Sequence, residues 1–374
     1  MGRRYILGIG CVGLLLVLGI IIGETVLRSH PDWLSPRWQL RMHERTRRHR
    51  VVPNAEIGFL LQPYQHQQTR NRDYDYLKET DAYGFPNREP WPEQADIVFL
   101  GDSLLTGEGV GIEHQFSTLI DQQLPELEVL NLGVPGAGPE RQYRVYRQFD
   151  IGDHPHVVVA CWYLISDLDN DTHFDAWIKD DLGMTYNRFR LTYARRMAPP
   201  PTPASRLSRL LQRSVLYGYG RSWWQHVVGD PAPWPLRYRL DDGTEMILDE
   251  RKLPFVTAAV QANDPRLLRA IASLERLQAL AASRQARVVV MLLPSKEELY
   301  RNDGGEPDRP TMLARMRHQL RSSRVPTLDL YEPLRLNSRV QAPFFPRDSH
   351  LNHHGNRMVA EHFVAWWQTH DGRM

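Results

Sequence analysis

At 374 residues, with 42% hydrophobic and 24% charged side chains, the chain is long enough to bury one sizeable core with additions. A net charge of +2 gives no global basis for nucleic-acid binding, and none is expected. The two cysteines, Cys11 and Cys161, exclude a disulfide scaffold, and neither belongs to a CxxC pair, which removes support for thiol redox chemistry.

From Tyr5 to Gly23 the chain reads YILGIGCVGLLLVLGIIIG, with no charge until Glu24. As a helix this run spans about 28 Å, the thickness of a bilayer's hydrocarbon. It is long for a signal peptide, and no small-x-small cleavage site follows, so residues 1–27 are expected as a short tip and an uncleaved single-pass anchor, with membrane contact through residues 5–27. Residues 28–90 are mixed, aromatic and turn-rich with no clear period and read as a juxtamembrane stalk and lead-in. Trp33 and Trp38 suit a membrane interface, and Arg28, Arg37, Arg41, Arg45, Arg47, Arg48 and Arg50 suit a solvated or lipid-facing surface.

Residues 91–374 read as one α/β domain. Apolar runs at Asp96–Leu100, Glu128–Asn131, Val157–Trp162, Val288–Leu293 and Thr327–Leu330 predict strands. Between and after them, Phe116, Leu119, Ile120 and Leu124, then Leu267, Leu268, Ile271, Leu274 and Leu277, then Met358, Val359, His362, Phe363 and Trp366 recur at helical spacing. Strands buried on both faces and separated by amphipathic helices imply a parallel, doubly wound sheet in three layers, α/β/α. An insertion at about 170–258 interrupts the alternation. It holds the proline-rich Ala198–Pro203, a hairpin signal at Asp242-Gly243, and an aromatic cluster of Tyr217, Tyr219, Trp223 and Trp224 expected to pack within the insertion, with stacking on sugar rings as the alternative.

In an open parallel sheet, ligands bind beyond the carboxyl ends of the strands. Ser103, in FLGDS, follows the first predicted strand, and Gly101 gives the turn backbone freedom. Gly133 and Gly136, in NLGVPGAG, follow the second strand, and Ser166 and Asp167, in LISD, follow the third. Serine is a poor nucleophile alone and needs a base, an orienting acid and oxyanion donors. Asp348 and His350, in FPRDSHLNHHGN, are two residues apart, so an extended segment would put both on one face, with Asn352 as N-cap of the final helix. His350, His353 and His354 lack the HExxH pattern, and no metal or other cofactor is expected. GEGVG at Gly107–Gly111 lacks the P-loop lysine and reads as turn chemistry.

GDSLLTGEGV, NLGVPGAG, the strand ending in LISD, and DSHLN with a following glycine together resemble the SGNH (GDSL) hydrolase family over roughly residues 80–370, the insertion aside. DAYGFPNREP ahead of the first strand resembles membrane-anchored bacterial members. The resemblance implies a flavodoxin-like three-layer fold and a Ser103–His350–Asp348 site, with the backbone N–H groups of Ser103 and Gly136 in the oxyanion hole. Two departures matter. The family's third block carries an asparagine that completes the hole, where this chain has Ser166, with Asn170-Asp171 four residues on. The acid and histidine are separated by one residue rather than two, a form that resembles the branch that O-acetylates exopolysaccharides, as does Pro294–Tyr300, PSKEELY. Ser295 and Glu298 there also fit a helix capping box.

The reading is a membrane-anchored serine ester hydrolase acting on small acyl esters, such as O-acetyl groups of envelope carbohydrate. One alternative is an O-acyltransferase of an extracytoplasmic polysaccharide using the same residues; another is a non-catalytic carbohydrate-binding protein. Arg3 and Arg4 argue for a cytoplasmic N-terminus, whereas the arginines after the span argue the reverse. The family resemblance places the domain in the periplasm, on a single-pass anchor in a bacterial inner membrane.

Overall fold

The computed structural model describes residues 2–30, 33–34, 39–40, 49–149, 151, 154, 156–180, 183–197, 211, 214–228, 237–249, 252–300 and 311–370. In chain order, its main elements are α1 (Gly2–Ser29), β1 (Val51–Asn54), β2 (Gly58–Leu61), β3 (His66–Arg70), β4 (Asp75–Glu79), β5 (Ile97–Leu100), α2 (Phe116–Gln123), β6 (Val129–Asn131) and α3 (Pro139–Gln148). There follow β7 (His156–Trp162), α4 (Leu164–Ile178), α5 (Tyr186–Met197), α6 (Val215–Val228), β8 (Arg237–Arg239), β9 (Glu245–Ile247), α7 (Pro265–Ser283), β10 (Ala286–Leu292), α8 (Met312–Ser322), β11 (Thr327–Asp329) and α9 (His353–His370).

All five apolar runs become strands of one parallel sheet, in the order β11-β10-β7-β5-β6. Strand pleating sorts alternate side chains to opposite faces. Val98, Leu100, Val158, Ala160 and Val290 meet α3, α7 and α8 through Val145, Leu274 and Met316. Phe99, Val157, Val159, Val289 and Met291 meet α2 and α9 through Phe116, Ile120, Val359 and Phe363. The expected three layers are therefore present. Phe363 is fully buried, 5.2 Å ring to ring from Phe99, and its truncation to alanine would cost about 3–5 kcal/mol through the cavity left behind. Helix starts follow local rules. Asp264 accepts from the N–H of Arg266 ahead of α7, whose first residue is Pro265, and Thr311 accepts from the N–H of Ala314 at α8.

Residues 51–90 depart from the expected stalk and lead-in. β1 and β2, and β3 and β4, pair as antiparallel hairpins, and Ile57, Phe59, Leu60 and Phe85 join the main core. The period-2 signal is present as Tyr74, Tyr76 and Lys78, all buried, but a lysine in the third place disguises it. Lys78 is buried because it is paired with Glu108, itself buried.

The insertion begins later than expected, since α4 runs to Ile178 as part of the β7 crossover. Tyr186 and Phe189 of α5 enter the main core, and β8 and β9 form the hairpin around Asp242 and Gly243. Within α6, Tyr219, Trp223 and Trp224 are exposed rather than packed within the insertion. Ala198–Pro203, Trp38, Arg37, Arg41, Arg45, Arg47 and Arg48 lie outside the described residues.

Helix α1 exposes Leu14, Leu15, Leu16, Ile20, Ile21 and Ile22, and just beyond them Glu24 accepts hydrogen bonds from the Ser214 hydroxyl and the N–H groups of Val215 and Leu216 at the start of α6. Among the described residues no helix is long and apolar enough to cross a membrane. The side chains of residues 1–13 lie outside that set, so the expected span falls partly beyond it.

Candidate active site

The strand order makes β5 and β7 neighbours whose onward connections leave in opposite directions across the sheet, the kind of switch point that opens a crevice at the strand ends. The loops after β5, β6 and β7 deliver Ser103, Gly136 and Ser166 to that crevice, where they line one cavity of about 600 Å³ together with His350.

The loop carrying Ser103 is held by its own backbone. The N–H of Thr106 bonds to Asp102 O, that of Glu108 to Ser103 O, and that of Leu104 to the Asp102 carboxylate at 2.9 Å. Gly101 is required by space rather than by backbone freedom, because a Cβ there would lie 3.0 Å from Cys161 Cβ and from Leu105 Cβ. The left-handed residues of this loop are Gly107 and Gly109.

His350 Nε2 lies 2.7 Å from Ser103 Oγ, and its Nδ1 lies 2.5 Å from Asp348 Oδ1. A carboxylate only accepts, so Nδ1 carries the proton and Nε2 is left to accept from the serine hydroxyl. The acid and the imidazole meet through a turn rather than an extended segment, since the backbone N–H of His350 also bonds to Asp348 Oδ1, at 3.1 Å. The isolated bridge between Phe344 and Leu351 closes this loop, and Asn352 Nδ2 donates to Ala342 O and Phe344 O from its base. Asn352 also caps α9 as expected, accepting from the N–H of Gly355.

Asp348 is fully buried, and the groups that hold it were not marked by any sequence motif. The Tyr74 hydroxyl donates to Asp348 Oδ2 at 3.2 Å, and Asp73 Oδ2 accepts from the N–H groups of Arg347 and Asp348 at 2.7 and 2.8 Å. Both residues belong to the hairpin region ahead of the sheet. Lys296 is also fully buried, and its ammonium donates to the carbonyls of Asp348 and Pro346 at 3.0 and 3.1 Å. Burial lowers its pKa to about 8 even though Glu297 and Asp348 favour the charge. The capping box of Ser295 and Glu298 forms as expected, and Lys296 sits inside it, so PSKEELY is both a helix start and a clamp on the acid loop.

Charge around the site is arranged in pairs. Burial raises the Asp102 carboxyl, opposed by the Leu104 N–H and by the positive potential of His350 and Lys252. Burial would raise Glu108 as well, but the Lys78 ammonium, with His49 and His350, outweighs it and the carboxyl titrates at about 2. Lys252 donates to the Tyr163 hydroxyl at 3.2 Å on the cavity wall. Ser166 sits in the first turn of α4 with its hydroxyl 3.5 Å from Tyr163 O. Asn170 lies one turn further along the same helix face and also lines the cavity. His353 and His354 open α9, and the His353 ring meets His114 edge-on.

Residues 255–370 match the family model of the SGNH hydrolase-like domain of the acetyltransferase AlgX. Over that segment the chain is similar to an SGNH hydrolase-like domain. No curated protein matches it. Among solved structures it is similar to a member of the lipolytic G-D-S-L family from Veillonella parvula, at 11% identity and a TM-score of 0.37, covering 73% of this chain and 97% of that one. It is similar also to a GDSL-like lipase from Bacteroides thetaiotaomicron, at 10% identity and a TM-score of 0.35, covering 76% and 92%. A third is the esterase EstA from Pseudoalteromonas, at 10% identity and a TM-score of 0.34, covering 73% and 98%. These likenesses are distant, and the similarity to SGNH hydrolase-like proteins is carried by the matched segment at 255–370.

Proposed function

We propose that this protein is a serine esterase of the SGNH type acting on small acyl esters, with Ser103 as nucleophile, His350 as general base and acid, and Asp348 as orienting acid. The observation that carries the reading is the unbroken relay from Ser103 Oγ through His350 to the buried Asp348, at 2.7 and 2.5 Å. In the first step the Oγ–C bond forms, the Oγ proton passes to His350 Nε2, and the carbonyl π pair moves onto oxygen. Collapse breaks the bond to the leaving alkoxide, which takes the proton from Nε2 and leaves an acyl-Ser103. Water then attacks with Nε2 accepting its proton, and Ser103 departs by recovering that proton. The N–H groups of Ser103 and Gly136 would face the developing oxyanion, while the Ser166 hydroxyl is turned toward Tyr163 O.

The match to an acetyltransferase domain favours a second reading, in which a sugar hydroxyl replaces water in the second half and the product is an O-acylated polysaccharide. A cavity of about 600 Å³ has room for an acyl-bearing sugar unit. The exposed apolar face of α1 supports an anchor in the inner membrane, with the domain on the periplasmic side.

The full chain in detergent is expected to hydrolyse p-nitrophenyl acetate and to be labelled by a fluorophosphonate, with Ser103→Ala losing both. Equal rates in parent and variant would remove Ser103 as nucleophile. Supplying an oligosaccharide acceptor with the same ester separates the two readings: acetylated sugar without net acetate release identifies the transferase. An alkaline phosphatase fusion after residue 90 should be active, and an inactive fusion would reverse the orientation.

A further inference from the structure

The departure at Ser166 leaves the oxyanion hole short of the side-chain amide that the family resemblance implies. The space beside Gly136 supplies a different set of donors. Gly136 has φ +69, and its N–H donates to no group among the described residues. A Cβ built on it would lie 3.6 Å from Asn170 Nδ2 and 3.5 and 3.8 Å from the two Nη atoms of Arg190. Asn170 and Arg190 therefore bring N–H groups from two helices to the space beside Gly136. All three residues line the cavity that contains Ser103 and His350.

Neither side chain has its hydrogen-bonding capacity used elsewhere. Among the described residues the Asn170 carboxamide makes no hydrogen bond, its backbone carbonyl alone accepting from the Tyr186 hydroxyl at 3.4 Å. The Arg190 guanidinium has no carboxylate partner among the same residues and rests 5.7 Å from the centre of the Tyr186 ring, on its own helix. This contact leaves the donors of the exposed guanidinium unconsumed. Ser166, by contrast, has its hydroxyl turned toward Tyr163 O in its own first turn. Positions 166 and 170 share a helix face, so a carboxamide one turn along α4 reaches toward the edge that a longer side chain at 166 would have served.

We propose that Asn170 and Arg190 are the side-chain donors of this chain's oxyanion hole, acting with the Gly136 N–H on the tetrahedral oxygen formed when Ser103 attacks an ester. The inference deepens the esterase reading and rests on it. When the carbonyl π pair moves onto oxygen, the new negative charge would meet the half-buried Asn170 amide and the exposed Arg190 cation at the cavity wall. The insertion thereby gains a part in the chemistry, since α5 carries Arg190 to the site and is moored by Tyr186 and Phe189 in the main core.

The test uses p-nitrophenyl acetate, which carries no anionic group for a guanidinium to bind in the ground state. Arg190→Gln and Asn170→Ala are each expected to lower kcat by about 100-fold with KM little changed, and to slow fluorophosphonate labelling in parallel. Arg190→Lys should recover part of the loss, because it keeps the charge without the planar fork. Arg188→Gln, an exposed neighbour on α5 that does not line the cavity, is the control and should stay within about twofold. If Ser103→Ala is inactive while Arg190→Gln and Asn170→Ala keep kcat within about threefold, or change KM alone, the esterase reading stands and this inference falls. If the parent is neither active nor labelled, or Ser103→Ala matches it, the esterase reading falls and takes the inference with it.

Discussion

The loop that presents Ser103 and the loop that presents Asp348 and His350 reach the same point by opposite means. The first is stabilised largely from within, with Lys78 as an outside partner of Glu108. Backbone bonds link residues 102–110 to one another, and the glycines at 107 and 109 take the left-handed turns. The second is stabilised from without, by Asp73 and Tyr74 from the hairpin region, by Lys296 from the end of β10, and by Asn352 from the start of α9. A loop stabilised from within writes its geometry into a short motif. One stabilised from without scatters its geometry across the chain.

Substitutions in the outer supports should therefore lower activity without touching the reacting atoms. The largest effect is expected for Asp348→Asn, which keeps the shape but favours the wrong imidazole tautomer and should lower kcat by about 10⁴-fold, read with p-nitrophenyl acetate. Lys296→Met comes next. It leaves the carbonyls of Pro346 and Asp348 without their buried donor and should destabilise the fold by about 3 kcal/mol in urea titration, with a parallel fall in kcat. A Lys296→Met variant with full activity and parental stability would show that the acid loop holds itself.

Glu108→Gln probes the support of the inner loop, where the sign of the pH dependence can be worked out. The folded Glu108 titrates at about 2, below its ordinary 4.5, so it contributes stability that is fully present above pH 4.5 and is lost as the pH falls toward 2. The parent should unfold at higher temperature than Glu108→Gln at pH 7, and the gap should close by pH 2. The smallest effect belongs to Tyr74→Phe, which removes one 3.2 Å hydrogen bond to Asp348 Oδ2 and should lower kcat by no more than about tenfold. A larger loss there than in Lys296→Met would invert the ranking and make the hairpin the main support.

The same division explains what is legible in the sequence. The five apolar runs specify the sheet because a strand buried on both faces leaves an unbroken hydrophobic run. FLGDS and DSH mark their residues because the chemistry is compressed into a few positions. The β3–β4 hairpin stays hidden because its buried face includes Lys78, whose charge is paired with Glu108, 30 residues on. Lys296 is hidden inside a correct capping box, where a lysine between Ser295 and Glu298 looks like ordinary helix surface. Asn170 is visible in the sequence but falls four residues past the expected place, where the strand is expected to give way to insertion; α4 instead continues to Ile178 and keeps that position on the cavity wall. In each case the deciding partner is remote in sequence, and local pattern carries no trace of it.

The serine and the imidazole that faces it are 247 residues apart. A nascent chain that has displayed Ser103 and completed β5, β6 and β7 still has no base, and the final helix that seals the sheet's second face is unmade. On the proposed roles, reactivity would thus be withheld until synthesis has passed residue 350.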